Sequence, residues 1–216
     1  MDRLSRCAPL SGLIAAVLFG IGSALWGFEQ PAQDAGSEEL ISFYEDTSTE
    51  ILIGGTISII SLPFWVWFGA VLRERLAAAE GSAASGLPLV TFAGMVLLAA
   101  VGLGAETINM AGAQSADDGQ ITADTAQIYF DVSWALGAPA AGVASAMAAA
   151  PIALIALRTG RVLPPWATWL VLLMSLAMLT PIMWTAAFQY PVGLALLLLA
   201  ALSIHLYRAP AMPDTD

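Results

Sequence analysis

The stretch Ile51 to Leu72, ILIGGTISIISLPFWVWFGAVL, runs for 22 residues without a charge and gives way at once to Arg73-Glu74-Arg75. A helix crossing a hydrocarbon core of about 30 Å needs roughly 20 apolar residues. Arginines gather at the cytoplasmic ends of such helices. The stretch therefore reads as a membrane span whose C-terminal end faces the cytoplasm, and its neighbours on both sides read the same way.

Upstream, Cys7 to Phe28 is a second uncharged run of 22 residues. Downstream, Gly81 to Ala105 is a third, with its helix expected to start near Pro88, and Val132 to Leu157 is a fourth of 26 residues, long enough to tilt. From Val162 to Tyr207 the only titratable cation is His205. That is too long for one span. Phe188-Gln189-Tyr190-Pro191 divides it, because the residue before a proline is pushed out of the helical region. The expected architecture is all-α: a polytopic membrane protein, a single domain over 1–216, with six spans at about 10–28, 51–72, 88–110, 131–157, 165–187 and 191–207.

Charge placement supports that count. The chain has no lysine, and its seven cationic residues are Arg3, Arg6, Arg73, Arg75, Arg158, Arg161 and Arg208. With six spans all seven fall on one face, so both termini are expected in the cytoplasm of a plasma-membrane protein. The other face carries the loops 29–50 and 111–130, which with Asp131 hold eleven carboxylates and no cation. Within the first of these, Leu40, Phe43, Tyr44 and Thr47 recur at helical spacing after a Ser37 cap, which predicts a short helix lying on the outer membrane surface. The first span is expected to be retained rather than cleaved as a signal peptide, since its apolar run exceeds the usual 7–15 residues of such a leader. Trp26, Trp134 and Trp184 fall toward the outer boundary and Trp65, Trp67, Trp166 and Trp169 toward the inner one, as an interfacial aromatic belt requires. A tryptophan-lined pocket is the sharper alternative.

Lipid tails are as apolar as leucine, so helix association in a bilayer relies on close packing through small residues. Gly12, Ala16, Gly20 and Ala24 form one such row, and Ala138, Gly142, Ala146 and Ala150 another. Each is a candidate face for packing within the chain, for self-association or for a membrane-protein partner. Pro63, Pro139, Pro151 and Pro181 lie within spans and are expected to kink them.

Several segments carry a family likeness. Phe43-Tyr44-Glu45-Asp46, Ile51-Leu52-Ile53-Gly54-Gly55, Phe64-Trp65-Val66-Trp67-Phe68, Leu72-Arg73-Glu74-Arg75-Leu76 with Ala79-Glu80-Gly81, Ala156-Leu157-Arg158-Thr159-Gly160 and Leu163-Pro164-Pro165-Trp166 together resemble small six-span actinobacterial membrane proteins similar to the DUF4386 family. The likeness covers most of the chain and rests on boundary and loop signatures. It implies the six-span fold and carries no activity, cofactor or active site with it.

Ionisable residues within a membrane are costly and are functional candidates. Glu106 sits about a turn inside the outer end of the third span, with Asn109 three residues on and hence on the same face. Asp131 opens the fourth span at a similar depth. If the two acids face each other, Glu106, Asn109 and Asp131 form a polar ligand or ion site able to hold a cation or relay a proton. The alternative is that both acids lie close enough to the outer boundary to stay hydrated. His205, near the inner end of the last span, is either a pH-sensitive group or simply solvated.

Other chemistries fall away. Without lysine no retinal or pyridoxal Schiff base can form. One histidine and one cysteine, Cys7, exclude bis-histidine haem and multi-histidine or thiolate metal sites. No Walker loop, dinucleotide fingerprint, EF-hand or Gly-x-Ser-x-Gly elbow occurs, and the paired arginines are topology signals rather than a nucleic-acid surface. No catalytic residue, metal ligand or cofactor is assigned. The lipid bilayer is the one certain partner on this reading. Three function classes stay open, in this order: a non-enzymatic membrane component or scaffold, a small secondary transporter or ion or proton conductor using Glu106 and Asp131, and an intramembrane enzyme.

Overall fold

A computed structural model describes residues 7–81, 85–180 and 189–208, of which 189–195 by backbone alone. Every regular element among them is helical. After a short 3-10 turn at Ala8–Leu10 come α1 (Ser11–Trp26), α2 (Ser37–Asp46), α3 (Ser48–Glu80) and α4 (Leu87–Asp117). These are followed by α5 (Ala123–Ala135), one wide π-helical turn at Leu136–Ala140, α6 (Ala141–Thr159), α7 (Pro165–Ala177) and α8 (Gln189–Arg208).

The helix ends follow local chemistry. Thr122 caps α5 and Thr125 bonds back to it, so two otherwise orphaned N–H groups are satisfied at once. α3 stops at Gly81 and α6 at Gly160, whose φ values of 60° and 66° are left-handed conformations that glycine tolerates. α2 is capped by extended Gly36 rather than by Ser37, one residue earlier than expected, with Glu38 and Glu39 favourably placed in the first turn. Pro139 removes an N–H and crowds the preceding turn. The chain accommodates it by widening Leu136–Ala140, so α5 and α6 continue in one line.

Four helices are long and apolar enough to cross a membrane: Ala8–Trp26, Ser48–Glu80, Leu87–Asp117 and the composite Ala123–Thr159. Pro165–Ala177 and Leu196–Arg208 are shorter apolar helices. The first four spans thus exist where the apolar runs place them, but three of them reach well past the expected ends. α3, at 33 residues, is about 50 Å long at 1.5 Å per residue, longer than the roughly 30 Å of a hydrocarbon core. The described part of the fifth helix ends at Ala177 and turns at Met178–Thr180, whereas the expected span ran to 187. Arg3, Arg6, Pro181, Trp184 and the break at Phe188 lie outside the described residues. α8 begins at Gln189 with Pro191 in its first turn, where a missing N–H costs nothing.

The helices pack as a row, α8–α1–α3–α4–α6–α7, with α5 also against α4 and α2 against α5 and α4. Glycines set the closest approaches. A Cβ on Gly22 would stand 2.5 Å from the Gly54 carbonyl oxygen, and a Cβ on Gly54 the same distance from that of Gly22. One on Gly94 would run into the Ala148 backbone, and one on Gly12 would meet the Phe68 ring at 2.8 Å. The expected Gly12–Ala24 row is therefore only half used: Gly12 and Ala16 are buried, Gly20 has room, Ala24 is exposed, and the tight crossing falls at Gly22.

Two apolar clusters form the core, the larger running from mid-bundle residues such as Leu62 and Ala99 to one end. One joins Leu72, Leu76, Ile155, Val162 and Leu206, beside the arginine-bearing termini of α3, α6 and α8. The other joins Leu40, Phe43 and Tyr44 of α2 to Ile51, Ala113, Ala126 and Phe130. The helical spacing in the first acidic loop is thus explained by burial against the protein's own helices, with Leu40 and Tyr44 fully covered, rather than by a lipid surface. Outward, Ile14, Val17, Ile21, Ile53, Ile60, Leu103, Leu157 and Leu173 are all exposed. An exterior with so many large apolar side chains is compatible with a lipid environment.

Candidate functional site

Seven helices, α1 and α3 to α8, line a cavity of about 620 Å³, α5 through Ser133 alone. Its wall is overwhelmingly apolar and includes Phe19, Trp65, Met95, Ile152, Met174 and Leu199. Glu106 and Asn109 line it toward the α2 end of the bundle, and His205 toward the other. Trp26, Trp65 and Trp166 also line it, so part of the tryptophan set faces a pocket, while Trp67 and Trp169 are exposed as belt residues would be.

Glu106 and Asn109 share one face of α4 and are 5% and 4% exposed. Their surroundings differ. The Tyr44 hydroxyl donates to Asn109 Oδ1 at 3.1 Å, and the Tyr44 ring lies flat against Gly112, where a Cβ would come within 2.6 Å of it. One turn of α2 is in this way fastened to one turn of α4. Burial, reinforced by nearby Tyr129, pushes the Tyr44 phenol well above its ordinary range.

Glu106 is set differently. Its Oε2 is sealed from solvent, packed near Gly55, where a Cβ would approach it to 3.4 Å. The Ser58 side chain stands beside it within hydrogen-bonding reach, and the Trp26 indole N–H is buried without a partner. Among the described residues lining the cavity Glu106 is the one carboxylate, and no arginine is among them. No group of three or more metal-competent side chains occurs among the described residues.

Asp131 is placed apart from these two. α5 buries Ala126, Phe130 and Ser133, and Asp131 sits on the far side of the helix, exposed and accepting a hydrogen bond from Gln127 Nε2 at 3.0 Å. The structure brings together Glu106 and Asn109 and leaves Asp131 at the surface. Ser58, Trp26 and Tyr44, which complete the buried polar set, were not expected as site residues. A hydroxyl, an indole and a phenol scattered over three helices carry no spacing that would group them. Comparison with protein-family models, curated proteins and solved structures gives no match for this chain.

Proposed function

We propose that the chain is a non-enzymatic, six-span plasma-membrane protein with both termini in the cytoplasm, which holds a small lipophilic molecule in the cavity between its helices. The observation that carries this reading is the cavity itself: about 620 Å³, walled by apolar side chains, with one carboxylate, Glu106, among the described residues that line it. Ligand pockets commonly have about this volume, and pair an apolar wall with a few placed polar groups. The shorter apolar helices α7 and α8 supply the fifth and sixth spans, in keeping with the arginine distribution and with the architecture that the DUF4386-like segments imply. Transport of the bound molecule across the bilayer is the natural extension of such a site.

The test uses a neutral lipophilic reporter. N-phenyl-1-naphthylamine should bind the full chain saturably in detergent, and Ala149→Phe, which fills part of the cavity, should weaken it by about tenfold, the equivalent of about 1.4 kcal/mol. Equal, non-saturable fluorescence from the wild type and the variant would remove the cavity as a binding site.

A further inference from the structure

We propose that the cavity binds a single-chain amphiphile with a cationic amine head, the ammonium seated at Glu106 and the hydrocarbon chain lying along the bore. The inference rests on the reading of the cavity as a binding site and adds the class of molecule it takes.

The shape comes first. Along α4 the lining residues run from Met95 to Asn109. At 1.5 Å per residue that is about 21 Å of wall. A long, apolar wall suits an extended alkyl chain.

Charge selects the head. Glu106 is nine-tenths buried and lines the cavity, and none of the described arginines lines it; His205 lies toward the other end. An anionic head would be repelled there, and a neutral lipophile would leave the carboxylate as costly as before. A bare divalent ion needs six or more oxygen ligands, whereas Glu106 stands as the single carboxylate and Asn109 Oδ1 is already occupied by Tyr44. A primary ammonium carries the charge opposite to that of Glu106, the one carboxylate among the described residues lining the cavity, and brings N–H donors to it. Trp26, on the same wall, adds an aromatic surface favourable to a cation.

The experiment titrates the full chain in lipid nanodiscs with radiolabelled tetradecylamine and, separately, tetradecanol, using empty nanodiscs to subtract partitioning. The amine should bind saturably, one per chain, with tetradecanol at least about tenfold weaker. Glu106→Gln, which keeps shape and removes charge, should erase that preference. Asp131→Asn, altering an exposed acid away from the cavity, should leave it intact. If both probes bind equally well, lose affinity together in Ala149→Phe and ignore Glu106→Gln, the cavity survives as a binding site and the cationic head is refuted. If neither probe binds saturably, the inference and the reading beneath it fail together.

Discussion

Two side chains one helical turn apart on α4, Asn109 and Glu106, show how different two buried polar groups can be. Asn109 is satisfied by the Tyr44 hydroxyl, and that bond ties the outer loop helix to the bundle. Tyr44→Phe should therefore lower stability by about 1–2 kcal/mol, because the Asn109 oxygen stays buried without its donor. Thermal unfolding in mild detergent would show it as a lower Tm, and an unchanged Tm would mean the contact contributes nothing. A pH dependence goes with it. Burial raises the Tyr44 phenol in the folded protein above its ordinary value of 10.0, so between those limits the unfolded chain loses a proton that the folded chain keeps. Stability is then flat below about pH 10 and falls as pH rises above it. The alkaline slope should be shallower in Tyr44→Phe than in the wild type, other tyrosines being common to both. Parallel slopes would show that Tyr44 titrates normally.

Among the helices, the apolar runs located the first four that are long and apolar enough to cross a membrane, because twenty uncharged residues in sequence have few other uses. They did not locate the ends. α3 continues through Arg73–Glu80 because charged and alanine-rich residues there are good helix formers and no glycine or proline intervenes before Gly81. α5 begins at Ala123, eight residues before the expected Asp131, because Thr122 and Thr125 cap it. That earlier start fixes which face of α5 turns inward and explains why Asp131 does not: Ala126, Phe130 and Ser133 share the buried face. Small-residue rows were legible as a tendency, but the residue at the crossing was not, since Gly20 and Gly22 look equally suitable in sequence. A direct comparison separates them. Gly22→Ala places a Cβ against the Gly54 backbone and should cost about 1–3 kcal/mol. Gly20→Ala meets nothing nearer than Leu196 at 3.7 Å and should be neutral or stabilising by up to about 1 kcal/mol through helix propensity. Equal melting temperatures for the two variants would contradict the packing of α1 on α3.

For the molecule as a whole, the two core clusters sort the connections into two groups. The termini of α3, α6 and α8 that carry Arg73, Arg75, Arg158, Arg161 and Arg208 adjoin one cluster, and the acid-rich α2 segment is built into the other. On the proposed six-span topology the two groups lie on opposite surfaces of the bilayer, the arginines on the cytoplasmic one. With Cys7 as the sole cysteine, a Cys7→Ala background permits single reporters without cross-talk. Asp34→Cys, in the exposed part of the first acidic loop, should react with a membrane-impermeant maleimide in intact cells. Arg161→Cys, exposed just beyond α6, should react only after the membrane is opened. Labelling of both in intact cells, or of neither, would place the two ends in one compartment and break the six-span count. It would also move Glu106 away from the outer end of the bore. The orientation of the amine head and the topology of the chain therefore stand on the same charge asymmetry, and the maleimide experiment tests it without reference to any ligand.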